Sequence, residues 1–570
     1  MNKKILLIIT SVCLLIGLTV PAAIMLLKSV NNDTPTTPEI RGPEEEIVEL
    51  DNIMLLGSFD KTRPFFENEY IDIDVETGES VNKFYDTLPE LNNETNFQSL
   101  GGNTYANING KTVTADAFYR VKNESASDPN VGVGLMLFQC IQYKIANPDE
   151  DVKIAFSTYR FSVTASVCVN PESRYYGYMR SLYTENYDNN GFVRIAYMLA
   201  EAARMGIEVT IVGQLDSYAV KQYNSAGKLV KVAEPSYKDY FAEALASDCY
   251  DKYAEGKKVS DYMSFHPVEW SLADKGGTDM MHLKCLAVSH YLDTKGTEHG
   301  PAVWFSSSNL DANDYRGCNG NNGSQSGVIV SDHDKIFEIT YNYIKLIAAY
   351  DGQEELYELR HLLGERNMEQ VEMILAGRED EIPEGEQIVY MGSDSDKVFE
   401  LHFTPISALA DDWDTVINPF CRYTEKLFNS EDYIIFAWNN PTYDNEFFVS
   451  RTMNEMIVEA FMTNRNINNR IAIKMYVFDV TKLYTLKVGE DLGFKLLTTN
   501  SGVHNKDLMF SYAENGERHY VSLLTSCNFH SGALYYQTNS ILVIDETDQT
   551  GNGFFEALGV KSSSGAIVAD

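Results

Sequence analysis

Two histidine–lysine pairs in matched surroundings are the residues of this chain best suited to chemistry. His282 stands two residues before Lys284, and His504 stands two residues before Lys506. Each pair runs into an apolar stretch, then a second apolar stretch that ends in Ser-x-Asn, then a third that closes on an acidic residue. The distance from histidine to serine is 25 residues in the first copy and 22 in the second. This repeated order is much more specific than a His-x-Lys tripeptide alone.

The two Ser-x-Asn triplets add polar side chains to each copy. They are Ser307-Ser308-Asn309 and Ser526-Cys527-Asn528. Attack on a phosphodiester requires groups that neutralise its oxygens, a nucleophile without a proton, and a proton for the leaving alkoxide. Two imidazoles can divide the last two tasks, because their pKa of about 6.5 permits either protonation state. Ammonium and amide groups can hold the anionic oxygens. The set is therefore suited to attack on a phosphodiester, and such an attack would need no metal and no other cofactor.

A third His-x-Lys shows how little the tripeptide means by itself. His333 and Lys335 are followed by no strand and no Ser-x-Asn, and they open a helix-like stretch. We assign them no catalytic role.

The duplicated arrangement resembles the phospholipase D superfamily, whose members carry two H-x-K-x4-D motifs, each followed by Gly-Ser-x-Asn. The N-terminal apolar segment and the H-N-K form of the second motif are most similar to the membrane-anchored type II branch of the phospholipase D3 and D4 kind. The resemblance covers about residues 130–556. It implies a fold of two α/β lobes that pack as a pseudo-two-fold pair with the active site between them.

The resemblance also implies a role for each site residue. His282 would be the nucleophile that forms a phosphohistidine, and His504 the general acid that later activates water, although the reverse assignment is also open. The groups implied to hold the phosphate oxygens are Lys284, Lys506, Asn309 and Asn528, with Ser307 and Ser526 in support.

Several positions depart from the family pattern. Ser289 and Ser511 stand where the family usually has aspartate. Gln325 and Asn539 stand where a carboxylate often orients the catalytic histidine. An amide can orient an imidazole, but it stabilises an imidazolium less than a carboxylate does. These departures leave open a catalytically silent module that binds phosphodiesters.

The order of predicted elements indicates an α/β fold, because helical patterns alternate with strand patterns in both halves. Residues 131–350 are expected to form the first lobe and residues 406–570 the second. The acid-rich residues 351–405 are expected to be a solvated connection, and residues 50–130 an N-terminal extension to which we assign no function.

The N-terminus predicts a signal anchor. Residues 5–27 are uncharged and mostly apolar, and Lys3 and Lys4 precede them, so residues 1–28 form a cytoplasmic tip and a transmembrane helix. A proline- and asparagine-containing stalk follows at residues 29–49. The rest of the chain is then expected outside the cell or in a lumen. Its acidity, which gives the whole chain a net charge of −36, argues against a general nucleic-acid coat protein.

The eight cysteines show no spacing typical of a zinc site. Cys285 and Cys527 lie in or beside the motif strands and are expected to be buried free thiols.

These features predict a membrane-anchored phosphodiesterase that hydrolyses phospholipid head groups. A single-strand nuclease of the same superfamily, transfer to an alcohol instead of water, and the silent binding module are the alternatives. The sequence specifies no oligomeric state.

Overall fold

The computed structural model describes the following residues: 53–57, 104–108, 111–114, 129–169, 179–181, 186–187, 191–214, 219–223, 229–233, 237–268, 281–292, 296–310, 326–350, 353–394, 397–406, 419–427, 430–438, 472–477, 495–498, 506–528, 533–534, 537–547, 562–563 and 566–567. All of them belong to the compact unit Arg41–Asp570. They form a mixed α/β structure built on two large sheets.

The helices within these ranges are α1 Pro129–Ala146, α2 Ile195–Arg204, α3 Tyr237–Leu245, α4 Asp251–Ala254, α5 Asp334–Ala348, α6 Gln353–Leu375 and α7 Pro419–Lys426. Short 3₁₀ helices lie at Val259–Asp261 and Glu379–Glu381.

The strands of the first half are β1 Ile53–Gly57, β2 Thr104–Ile108, β3 Lys111–Thr114, β4 Lys153–Thr158, β5 Ala165–Cys168, β6 Met179–Ser181, β7 Phe192–Arg194, β8 Glu208–Gln214, β9 Ala219–Tyr223, β10 Leu229–Ala233, β11 Met263–Val268, β12 Cys285–Val288, β13 Tyr291–Leu292, β14 Glu298–His299, β15 Ala302–Ser306 and β16 Ser326–Ser331. Those of the second half are β17 Val389–Asp394, β18 Lys397–Thr404, β19 Ser430–Trp438, β20 Ala472–Val477, β21 Lys495–Thr498, β22 Lys506–Glu514, β23 Glu517–Thr525, β24 Asn539–Glu546, β25 Ser562–Ser563 and β26 Ala566–Ile567.

The two large sheets share the order of six of their strands. The first sheet runs β1-β16-β15-β12-β4-β8-β11, and the second runs β17-β18-β24-β23-β22-β19-β20-β21. In the first, β4, β8 and β11 are parallel, whereas β12, β15 and β16 are antiparallel to their neighbours. In the second, β19, β20 and β21 are parallel, and β22, β23 and β24 are antiparallel to theirs. Six consecutive strands therefore repeat in order and in relative direction.

Each His-x-Lys pair leads into the same place in its sheet. The first pair runs into β12, which lies between β15 and β4, and the second runs into β22, which lies between β23 and β19. All four residues of β12 are buried. Burial on both faces explains why this strand reads as a continuous apolar run instead of an alternating pattern.

The apolar spacing of Phe192, Ile195 and Leu199 is typical of a helix that begins at Phe192, but the helix begins three residues later. Phe192, Val193 and Arg194 form strand β7, which pairs with β5, and helix α2 starts at Ile195. Arg194 has extended backbone angles, with φ −66° and ψ 135°, and serves as the N-cap residue. Pairing with another strand has thus overridden the helical spacing of the first turn.

The acid-rich segment expected to be a solvated connection contains helix α6 and two strands of the second sheet, β17 and β18. On α6, the side chains of Leu363 and Ile374 are buried, whereas Glu365, Glu369 and Glu372 are exposed. The acidic composition therefore reflects one face of a helix whose opposite face is part of the core.

The N-terminal extension contributes to the first sheet. Strand β1 pairs with β16 at the sheet edge, in antiparallel register from Ile53 opposite Val330 to Gly57 opposite Ser326. The membrane span expected at residues 5–27 lies outside the described residues, as do residues 448–462, whose apolar spacing predicts a helix. In the part of the chain that the structure describes, no helix is both long and apolar enough to cross a bilayer.

Candidate active site

His282 is hydrogen-bonded to the segment that leads into the second sheet. Its backbone N–H donates to the Thr538 carbonyl at 3.1 Å and lies 3.2 Å from the Thr538 hydroxyl. The preceding residue, Met281, forms an isolated parallel bridge with Thr538. Only 3% of the His282 surface is exposed. The first motif is therefore anchored beside Asn539, the first residue of β24.

The His282 ring is oriented by that asparagine. Its Nδ1 lies 2.8 Å from Asn539 Oδ1. The Asn539 Nδ2 donates to the Ala533 carbonyl at 2.9 Å and to the Thr404 hydroxyl at 3.2 Å. A carbonyl oxygen can only accept, so Nδ2 must face Ala533 and Oδ1 must face His282. The network therefore places a proton on His282 Nδ1, and in the neutral ring the lone pair is on Nε2.

The serine of the second triplet completes this network. Ser526 Oγ donates to Asn539 Oδ1 at 3.1 Å and accepts from the Ser540 backbone N–H at 3.1 Å. Ser526 and Asn539 are both buried. Ser526, which the family resemblance implies to be a phosphate ligand, here acts on the imidazole of the other motif through Asn539.

Both motif lysines are buried with no exposed surface. Residues two apart in a strand lie on one face, but His282 and Lys284 precede β12, which begins only at Cys285. Instead, the Lys284 ammonium donates to the carbonyl of His282 at 2.7 Å. Lys506 is the first residue of β22, where it pairs with Trp438 of β19.

The pKa of the Cys527 thiol is affected by both motif lysines. Burial raises its pKa to about 12, while a hydrogen bond with Thr525 and the charges of Lys284 and Lys506 oppose that rise. The charges of both motif lysines therefore act on this one thiol. Cys527 and Cys285 are free and buried, as the sequence predicts.

The Ser-x-Asn triplets follow β15 and β23 in equivalent turns. The family glycine is replaced by Ser306 in the first copy and by Thr525 in the second. The Ser306 hydroxyl accepts the backbone N–H of Ser308 at 2.9 Å, and the Thr525 hydroxyl accepts that of Cys527 at 2.8 Å. These turns hold the backbone through a side-chain hydroxyl, a bond that glycine could not form.

The asparagines and first serine of these triplets differ in exposure. Ser307 and Asn309 are buried, and Asn528 is half-buried. The neighbouring Leu310 N–H donates to the Arg160 carbonyl at 3.0 Å, which joins the first triplet to the loop after β4.

The two serines at the usual aspartate positions are not equivalent. Ser289 follows β12 at the end opposite His282, and its hydroxyl accepts the Lys153 N–H at 2.9 Å and lies 2.9 Å from His290 Nδ1. Ser511 is fully buried inside β22, and its hydroxyl has no hydrogen-bond partner among the described residues. The Ser289 hydroxyl thus stabilises the start of β4, whereas the Ser511 hydroxyl makes no hydrogen bond to any described residue.

The remaining predicted residues, His504 and Gln325, lie outside the described residues. Within the described ranges, no three His, Cys, Asp or Glu side chains are grouped closely enough to hold a metal ion. The third His-x-Lys has a structural role, because His333 is the N-cap of α5 and its Nδ1 accepts the Ile336 N–H at 3.2 Å.

Tyr159 is a residue that the sequence analysis missed. It directly follows β4, and its ring centroid lies 5.0 Å from that of His282. Its only signal in the sequence is that it follows a strand which ends beside the first motif. Thr404 and Thr538 were missed as well, since a hydroxyl that supports another polar group has no spacing of its own.

No family model and no curated protein matches the chain. Among solved structures, a polyphosphate kinase from Porphyromonas gingivalis is 10% identical at a TM-score of 0.31, and the match covers 72% of this chain and 45% of the kinase. The chain thus spans less than half of the kinase's length. A phosphatidylserine synthase from Haemophilus influenzae Rd KW20 is 10% identical at a TM-score of 0.37, with 82% of this chain and 88% of the synthase covered.

A phospholipase D family member, Nuc from Salmonella typhimurium, is 12% identical at a TM-score of 0.20 over 29% of this chain and 92% of Nuc. All three TM-scores are below 0.5, so these likenesses assign neither a family nor an activity to the chain.

Proposed function

We propose that the protein is a phospholipase D-like phosphodiesterase that uses a phosphohistidine intermediate. The observation that carries the proposal is the 2.8 Å hydrogen bond between His282 Nδ1 and Asn539 Oδ1. It holds the ring in one tautomer, in which Nε2 carries the lone pair that would attack phosphorus. The motif order is most similar to that of the membrane-anchored type II branch, and the repeated strand order supports two lobes related by a pseudo-two-fold axis.

The reaction has two balanced steps. His282 Nε2 forms a bond to phosphorus while the bond from phosphorus to the leaving oxygen breaks, and His504 gives that oxygen a proton. Water then attacks phosphorus, His504 takes a proton from the water, and the phosphorus–nitrogen bond breaks. The products are an alcohol and a phosphomonoester, and both histidines return to their starting states. An alcohol in place of water would give transfer instead of hydrolysis.

The lysines support a single site shared by the two motifs. The charges of Lys284 and Lys506 both act on the pKa of the Cys527 thiol, and the contact of His282 with Asn539 joins the first motif to the second half of the chain. In the proposal they neutralise the non-bridging oxygens of the phosphate, and the amides of Asn309 and Asn528 donate to the same oxygens. In the sequence, His504 precedes Lys506, the first residue of β22, by two positions.

The proposal includes the N-terminal anchor. The uncharged apolar residues 5–27, with lysines before them and an acidic chain after them, would hold the site on the outer or lumenal side of a membrane. Phospholipid head groups would then be close to the site, and they are the first natural substrates to assay.

A silent phosphodiester-binding module is the second candidate, because the group on His282 Nδ1 is a neutral amide and not a carboxylate. An amide gives less stabilisation to the positively charged imidazole of a phosphohistidine. Such a module would bind a phosphodiester and leave it intact.

Turnover assays on the full 570-residue chain in detergent separate these functions. The parent, His282→Ala and His504→Ala would be assayed from pH 5 to 8 on bis(4-nitrophenyl) phosphate with a chelator present. The proposal predicts turnover by the parent, and a loss of at least about 10³-fold in both variants. Binding without turnover by the folded parent would favour the silent module.

A further inference from the structure

Tyr159 lies beside the proposed nucleophile, although it belongs to neither motif. The planes of the Tyr159 and His282 rings are inclined by 50°, and the two ring centroids are 5.0 Å apart. The Lys284 ammonium lies 5.4 Å from the Tyr159 centroid. Tyr159 therefore contacts two of the groups that the proposed function assigns to the scissile phosphate.

The backbone that follows this ring is hydrogen-bonded to Leu310, the residue after the first Ser-x-Asn triplet. The carbonyl of Arg160 accepts the Leu310 N–H and the Thr158 hydroxyl, each at 3.0 Å. The N–H of Ser162 donates to the Leu310 carbonyl at 2.8 Å. Because rigid neighbours hold the loop, the ring has a defined place at the site.

Tyr159 is half-buried, whereas His282 and Lys284 are buried. Tyr159 thus keeps some exposed surface, while its ring centroid lies 5.0 Å from that of the proposed nucleophile. The face of an aromatic ring stacks on planar unsaturated groups. In the second sheet, the strand at the equivalent place, β19, ends at Trp438 and is followed by Asn439 and Asn440. The sequence therefore supplies this ring on one side of the duplicated site only.

The position of the ring decides which part of the substrate it would contact. In displacement at phosphorus, the leaving oxygen departs roughly in line with, and opposite to, the attacking atom. The attacking atom in the proposed function is His282 Nε2. A side chain that lies against His282 is therefore on the attacking side, where it can meet the ester group that stays on phosphorus but not the leaving group.

Two cations already lie against the Tyr159 ring. The guanidinium carbon of Arg160 is 5.3 Å from the ring centroid, and the Lys284 ammonium is 5.4 Å from it. Quaternary ammonium groups commonly bind to aromatic faces. At this ring, however, such a group would be repelled by both positive charges. An uncharged planar group avoids that repulsion and gains the stacking.

We propose that Tyr159 determines substrate specificity by stacking on a planar, uncharged retained ester group, and that Arg160 excludes cationic ones. This inference rests on the proposed function and sets a preference among its substrates: phosphodiesters that retain an aryl or heteroaryl group on phosphorus react faster than those that retain a cationic group. Esters that retain choline or ethanolamine on phosphorus are therefore disfavoured, whereas a choline or ethanolamine group that leaves is not affected.

Two chromogenic esters with one leaving group test the inference. Bis(4-nitrophenyl) phosphate retains an aryl group, 4-nitrophenylphosphorylcholine retains a quaternary ammonium, and both release 4-nitrophenolate. We expect Tyr159→Leu to lower the ratio of kcat/KM for the aryl over the choline ester about tenfold. Tyr159→Phe keeps the ring and should keep the ratio. Arg160→Gln should lower the ratio by raising kcat/KM for the choline ester.

Tyr341→Leu is the matched control. The Tyr341 ring also faces two cations, Lys153 at 5.7 Å and Lys345 at 5.8 Å. Lys153 is at the start of β4, about 20 Å along the strand from Tyr159, which follows its other end. The control should leave the ratio within about twofold of the parent.

The outcomes separate the inference from the proposed function. A ratio that Tyr159→Leu leaves unchanged, or that Tyr159→Phe lowers as much as Tyr159→Leu does, overturns the inference while turnover by the parent upholds the function. If the parent hydrolyses neither ester, the proposed function and the inference fall together.

Discussion

Asn539 Oδ1 lies 2.8 Å from Nδ1 of His282, although the two residues are 257 positions apart in the chain. The asparagine begins the strand β24, and the histidine leads into β12 of the other large sheet. The orientation of the amide is fixed on its far side by the Ala533 carbonyl. A residue of the second half thus determines which nitrogen of the first motif carries the proton.

Removing this amide is expected to slow the reaction more than it weakens substrate binding. We predict that Asn539→Ala lowers kcat by about 10- to 100-fold, because an unsupported imidazole samples other orientations and tautomers. Ser526→Ala should have a smaller effect of the same kind, since Ser526 acts only through Asn539 Oδ1. Steady-state kinetics on a chromogenic phosphodiester would measure both.

Ser522→Ala is the control for Ser526→Ala. Ser522 is a buried serine in β23, and its hydroxyl has no hydrogen-bond partner among the described residues. We expect its kcat to equal that of the parent. If Ser522→Ala and Ser526→Ala were equally impaired, the relay through Asn539 would have no support.

The serines at the two aspartate positions should differ in their effect on stability. Ser289→Ala leaves the Lys153 N–H without its acceptor and should lower the free energy of unfolding by about 1 kcal/mol. Ser511→Ala removes a buried hydroxyl that has no partner among the described residues, so its cost should be about zero. Urea denaturation of the two variants makes the comparison, and equal destabilisation would refute it.

A buried charged cluster on β18 predicts loss of stability in acid. Burial alone would raise the pKa of Glu400, but the Arg422 guanidinium and hydrogen bonds from His402 and Tyr423 outweigh it and lower the pKa to about 2. Burial lowers the pKa of His402, and the nearby carboxylate only partly offsets this. The folded protein therefore holds an ionised Glu400 and a neutral His402.

Both groups bind protons more readily in the unfolded chain, so stability falls as the pH falls. The contribution of His402 to stability is complete when the pH is above 6.5, its ordinary pKa, and declines at lower pH. The contribution of Glu400 to stability declines as the pH falls from 4.5, its ordinary pKa, towards about 2. Thermal unfolding from pH 7.5 to 5 should show a decline that is smaller in His402→Gln. An equal decline in the parent and the variant would show that His402 does not cause the pH dependence of stability.

The sequence predicted the strands of both motifs and the order of their parts, because those strands are buried and their apolar runs are unbroken. It also pointed to Asn539 as an orienting residue. It could not show that Asn539 serves His282 in the other motif, since that contact depends on how distant segments pack. Nor could it identify Tyr159, because the contact of this ring with His282 forms only in the folded chain. The acid-rich segment was wrongly expected to be a solvated connection. Its glutamates lie on the exposed face of α6, and the composition of the segment does not reveal the buried face.

The most direct test of the central claim is to trap the phosphoryl group on the nucleophile. The full-length His504→Asn variant would be mixed with bis(4-nitrophenyl) phosphate, quenched in alkali and analysed by peptide mass spectrometry. We predict a burst of about one 4-nitrophenolate per chain and an alkali-stable phosphoryl adduct on the peptide that contains His282, because water activation is impaired. Adduct on any other residue, or continued turnover by His282→Ala, would contradict the account.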